Sequence, residues 1–178
     1  MQTPSILLSI QPKWCEKIFS GEKTVEIRKN SPKLAPPFKC YVYCTLQKTI
    51  GDFILCKSEE NSRLFGHNTA VGVNKHVARY GDVNLKGKVI GEFVCNGIFP
   101  IRVFENGSIQ DYNWHSMWRT CVSYDEIARY IGNNNIGCGW EISDVILYDT
   151  PKELSCFTNI NGEAIKKAPQ SWGYVVDV

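Results

Sequence analysis

The sequence is poor in the spacings that build metal and thiol-redox centres. Its three histidines, His67, His76 and His115, are scattered, and none of its eight cysteines forms a Cys-x-x-Cys pair. That excludes zinc-knuckle and disulfide-oxidoreductase patterns. No apolar run approaches the ~18 residues that a helical membrane span requires. Met1–Ile10 lacks the basic stretch and the small-residue cleavage site of a secretory signal, so a soluble cytoplasmic chain with no membrane partner is expected. Nor is there a strong excess of one charge: twenty Lys and Arg stand against eighteen Asp and Glu, a net charge of +2. A uniformly basic nucleic-acid binder is thereby excluded. With 43% hydrophobic and 21% charged residues in 178, wholesale disorder is excluded too, and the length suits one domain over 1–178.

What is present is more specific. Cys15, Cys40, Cys44, Cys56, Cys95, Cys121, Cys138 and Cys156 read as reduced thiols that pack as small hydrophobes. Cys40, Val42 and Cys44 alternate along a strand-like run and share one face. No metal and no cofactor are expected. Charge is unevenly spread. From Lys13 to Lys39, seven basic residues (Lys13, Lys17, Lys23, Arg28, Lys29, Lys33 and Lys39) face only Glu16, Glu22 and Glu26. That segment carries +4 and the remainder −2. A local basic surface attracts phosphate, although a solvated helix face has the same composition.

The apolar run Ser5–Ile10, bounded by Pro4 and Pro12, reads as a buried strand. Pro12 suits the first turn of a helix, where a missing N–H costs nothing. That helix, over 13–19, turns Trp14, Ile18 and Phe19 inward and stops at Gly21. Lys23–Arg28 then alternates: Val25 and Ile27 face one way, Thr24, Glu26 and Arg28 the other. Prolines at 32, 36 and 37 precede a third strand, Phe38–Thr45. Residues 47–85 are polar and irregular and read as an inserted region of hairpins and loops, with a strand candidate at Asp52–Cys56. Lys88–Cys95 and Pro100–Phe104 read as two further strands, and Asn106-Gly107 as a hairpin turn. Ser123 and Glu126 have capping-box spacing and open a helix through Tyr130, ended by Gly132–Asn135. Gly139–Tyr148 and Ser171–Val176 complete the strands. The fold class is mainly β with short helices (α+β): a small β-barrel with helices at its rim.

The residues Leu7-Leu-Ser-Ile-Gln-Pro12, followed by Ile18-Phe-Ser-Gly-Glu-Lys-Thr-Val-Glu-Ile-Arg28, resemble the opening of the ASCH domain, a PUA-like β-barrel family. The signature Gly-x-Lys-x-x-Glu-x-Arg is met by Gly21, Lys23, Glu26 and Arg28. Val89–Phe93, Gly139–Leu154 and Ala168–Val175 resemble the longer members, often phage- or prophage-borne. The resemblance implies that Lys23, Glu26 and Arg28 line a cleft that binds RNA or an RNA-derived nucleotide or nucleoside.

Glu26 and Arg28 share a strand face, about 7 Å apart. In that cleft Lys23 and Arg28 would hold phosphate, and Glu26 a base edge or ribose. Lys13 and Trp14 on the preceding helix join the binding set, and Trp172 supplies a stacking wall. Spacing alone also allows a plain cross-strand ion pair, worth roughly 0–1 kcal/mol when exposed. Trp140 and Trp172 on strands equally suit core packing. Trp114 and Trp118 share one face of a helical turn beside Arg119, fit for core, capping or base stacking.

The resemblance carries an enzymatic alternative. Some ASCH proteins are amidohydrolases acting on N4-acetylcytidine, with a lysine, a threonine three residues later and a distant glutamate. Lys23 matches the lysine, Glu26 stands where the threonine would be, and the acid would be Glu126 or Glu141. Other members are linked to ribonuclease activity, for which Glu26 would be the base beside Lys23 or Arg28. Catalytic Lys23 and Glu26 belong to these alternatives. A third is a phage accessory protein acting on a host protein partner or sequestering a signalling nucleotide.

Overall fold

The computed structural model describes residues 4–46, 85–111 and 117–176. The proposed insertion, apart from Leu85, lies outside the described residues, as do Trp114 and His115. In chain order the elements are β1 (Pro4–Ile10), α1 (Pro12–Phe19), β2 (Val25–Arg28), β3 (Phe38–Cys44), β4 (Val89–Val103) and β5 (Ile109–Asp111). A 3₁₀ turn over Met117–Thr120, α2 (Tyr124–Ile131), β6 (Ile136–Lys152), a 3₁₀ turn over Leu154–Cys156 and β7 (Trp172–Val176) follow. The mainly-β expectation with two short helices is met. The strand order is β2-β6-β4-β3-β1-β7, with β5 on β4.

That sheet is open, not a closed barrel. β2 and β7 stand at the two ends of the strand order, and each meets other chain at or beside one terminal residue. Val176 N donates to Thr158 O at 3.0 Å, blunting β7, and Thr24 N donates to Arg119 O at 2.9 Å where the chain enters β2. Covered edges of this kind suppress further strand addition without requiring a barrel.

Two compact units share the long strands β4 and β6. The first takes Met1–Gly21, Lys39–Phe93 and Asp144–Val178. Here β1 runs parallel to β3, with Leu8 opposite Val42, and antiparallel to β7, with Ile6 opposite Tyr174. Leu7, Tyr41, Tyr43, Val89, Phe157 and Val175 form an apolar cluster in this unit. Cys40, Val42 and Cys44 are all fully buried, and both cysteines are free. Pro12 opens α1, and Gly21, at φ 77°, reverses the chain after it. The aromatic end of α1 settles on β4 because Gly91 has no side chain: a Cβ there would lie 2.6 Å from the Phe19 ring. Phe19 is fully buried, which contributes roughly 1.5–3 kcal/mol.

The second unit takes Glu22–Phe38 and Val94–Ser143. Its core is Val25, Ile27, Ile101, Val103, Met117, Ile127, Ala128 and Ile131. β2 pairs antiparallel with β6, setting Glu26 opposite Trp140 and Arg28 opposite Cys138. The capping box forms as the spacing predicts: Glu126 N donates to Ser123 Oγ, and Ser123 N to Glu126 Oε2. Asn106-Gly107 turns β4 into β5, with Gly107 N donating to Phe104 O at 2.9 Å. Two strands predicted at 88–95 and 100–104 are one fifteen-residue strand, β4, and β6 is seventeen residues long rather than ending at Tyr148.

Candidate functional site

Alternation along β2 divides its side chains as expected, but both sets are buried. Val25 and Ile27 enter the core, while Glu26 and Arg28 are 7% and 5% exposed. Lys23, in the short connection after Gly21, is 2% exposed. The three charges converge on the carboxylate. Glu26 Oε2 lies 3.2 Å from Lys23 Nζ, and Oε1 lies 2.9 Å from Arg28 Nη2. Lys23 Nζ also donates to Val25 O at 2.9 Å and to Thr120 O at 2.7 Å. Its three donors thus have two carbonyls and a carboxylate as partners. An exposed ion pair, which the spacing alone allowed, is not what forms; this is a buried cation–anion–cation network. Taking three charges from water costs several kcal/mol per ion, which their attraction repays only with geometry this close.

Sulfur and aromatic groups line the same strand face. Trp140, fully buried, donates from Nε1 to Cys138 Sγ at 3.2 Å, and Cys138 Sγ donates to Arg28 O at 3.5 Å. Phe38 packs edge-on to Trp140, with centroids 5.7 Å apart. Core packing is therefore the role of Trp140. Burial pushes the Cys138 thiol above its ordinary value, against the Trp140 hydrogen bond and the Arg28 charge. It pushes Cys95 up to about 12. Both are inert thiols at neutral pH. Among the described residues no group of three or more His, Cys, Asp or Glu is placed to hold a metal ion.

The turn Met117–Thr120 borders the network. Besides receiving Lys23 at Thr120 O, it accepts Thr24 N at Arg119 O, and Arg119 Nε donates back to Thr24 Oγ1 at 2.8 Å. Arg119 Nη1 lies 3.7 Å from Glu141 Oε1. Glu141 has its place because residue 97 is glycine: a Cβ there would fall 2.6 Å from Oε2. Of the two acids considered at the outset, Glu126 is committed to the cap of α2, whereas Glu141 stands in this cluster. The sequence set Arg119 beside the Trp114 and Trp118 face and Thr24 on the polar face of β2, without anticipating a bond between them. Their link spans 95 residues and left no local signal.

The remaining candidates lie in the first unit. Lys13 Nζ sits 4.2 Å from the centroid of the Trp14 ring, a cation–π contact on α1. Trp172, half-buried on β7, packs edge-on to Tyr174 at 5.5 Å. Among the described residues no helix is long and apolar enough to cross a membrane.

No curated protein matches the chain. Among solved structures it is similar to ASCH from Zymomonas mobilis, with a TM-score of 0.53 at 16% identity over 96% of this chain and 86% of that one. Two single-substitution variants of that protein match with TM-scores of 0.51 and 0.52, at 17% and 16% identity, over 96% of this chain and 88% and 87% of theirs. Likeness at this identity concerns the fold. The ASCH domain model itself matches residues 8–128, a span that includes the whole Gly21, Lys23, Glu26, Arg28 signature, and the chain belongs to the ASCH domain family.

Proposed function

We propose that the chain binds RNA or an RNA-derived nucleotide or nucleoside. The observation that carries this reading is the buried network in which Glu26 joins Lys23 and Arg28 at 3.2 and 2.9 Å. Such a network adds little or nothing to stability over apolar packing, so its cost argues for a role in recognition. The network holds two cations to one anion, and its partly exposed neighbour Arg119, paired with Glu141 at 3.7 Å, makes three cations to two anions. A net positive centre suits phosphate, and the family's PUA-like fold is associated with RNA binding. Lys13, Trp14 and Trp172 remain binding residues that the first unit offers on its own account.

Binding is preferred over hydrolysis on geometric grounds. An amidohydrolase or ribonuclease needs an activated nucleophile or a base within reach of substrate. Both carboxylate oxygens of Glu26 are engaged by cations, the Lys23 donors are engaged by carbonyls and Glu26, and Thr24 Oγ1 accepts from Arg119.

A thermal-shift series with nucleosides, mononucleotides and short RNAs tests the reading. A ligand present at 100 times its Kd stabilises the fold by about 2.7 kcal/mol. Binding is expected to weaken with salt and in Lys23→Ala, and Glu26→Gln is expected to change ligand preference. Absence of any shift across the series, at low salt as well as high, sinks the proposal.

A further inference from the structure

We infer that the turn Met117–Thr120 is a platform for one unpaired RNA base and its phosphate, with Trp118 as the stacking face and Arg119 as the phosphate contact. This rests on the RNA-binding reading above and places the contact outside the buried network. Trp118 is 76% exposed, more than any other large apolar side chain described. A lone exposed aromatic needs no explanation by itself. This one, however, is mounted on backbone fixed at each neighbouring residue. Thr120 Oγ1 donates to Met117 O at 2.7 Å, Thr24 N to Arg119 O at 2.9 Å, and Lys23 Nζ to Thr120 O at 2.7 Å. A ring carried on pinned backbone has little freedom left to lose on binding.

Arg119 is oriented but not saturated. Nε is spent on Thr24 Oγ1, which sets the guanidinium plane. Among the described residues its terminal nitrogens have one charged neighbour, Glu141 Oε1, at 3.7 Å, and the side chain is 30% exposed. That separation exceeds a hydrogen bond, so a phosphate oxygen can reach the guanidinium without a bond being broken. Ring and cation together fit a single strand. A duplex buries the faces of its bases and offers no ring to stack.

Fluorescence anisotropy with an end-labelled mixed-sequence single-stranded RNA, and with its duplex, tests the placement. Wild-type protein is expected to prefer the single strand. Trp118→Ala is expected to weaken that binding about tenfold or more, whereas Trp118→Phe retains most of it. Arg119→Gln is expected to flatten the slope of log affinity against log salt by about 0.7, the value of one phosphate contact on a single strand. Trp118→Ala should melt with wild type, so a folding defect does not mimic the result. Single-strand binding that survives both Trp118→Ala and Arg119→Gln overturns this placement and leaves the RNA reading standing. Wild-type protein that binds neither RNA overturns both.

Discussion

Glu26 neutralises two cations at once, each carboxylate oxygen facing one of them at 7% exposure. Its removal therefore differs from the loss of a surface pair. Glu26→Gln keeps the shape and one carbonyl oxygen but takes away the carboxylate that Lys23 and Arg28 share. Removing one partner from a buried ion-pair network is among the few mechanisms that cost several kcal/mol from one substitution. Chemical denaturation of Glu26→Gln should show a loss of about 3–5 kcal/mol, and a loss below about 1 kcal/mol would place the pair in effective contact with water. The burial itself was not legible in the sequence. Period-two alternation told which residues of β2 share a face, and that division holds. What covers the polar face is set by Trp140 and Cys138, more than a hundred residues away, and spacing within one strand carries no information about them.

Elements built from local chemistry were the legible ones. Pro12 and Gly21 bracket α1, Asn106-Gly107 turns β4 into β5, and Ser123 with Glu126 caps α2, each through contacts within a few residues. The cap has a measurable consequence. Ser123→Ala removes the acceptor of Glu126 N and ends the reciprocal box, and an N-cap of this kind is worth about 1 kcal/mol. Because α2 delivers Ile127, Ala128 and Ile131 to the core of the second unit, that loss should appear in global unfolding and not only as fraying. An unchanged denaturation midpoint would show that packing alone holds the helix. Elements set at long range were misread. Residues 96–99 fall between the two strands expected at 88–95 and 100–104, whereas Gly97 continues β4 and leaves room for the Glu141 carboxylate. The turn carrying Trp118 and Arg119 has no strong local signal either, since Lys23 and Thr24, almost a hundred residues earlier, supply its bonds.

At the scale of the whole molecule, the groups with displaced ionisation among the described residues point the same way. Burial raises Cys95 to about 12 and raises Cys138 and Tyr43 above their ordinary values. Each is neutral when protonated, so folding favours the protonated form in all three. An unfolded chain ionises such thiols near their ordinary value of 9.0, while the folded chain still holds the proton on Cys95. The stability these groups contribute is therefore complete below about pH 9 and is lost as pH rises toward the folded values. Thermal midpoints should fall progressively between pH 9 and about 12, with Tyr43 adding to the decline above the ordinary tyrosine value of 10.0. The slope needs an internal control. Cys95→Ala starts from a lower midpoint because it opens a cavity at a fully buried site. It should nevertheless decline less steeply from pH 9 upward, because one raised group is gone. Parallel curves for the two proteins would mean that the Cys95 thiol reaches water in the folded state and ionises there as it does when unfolded.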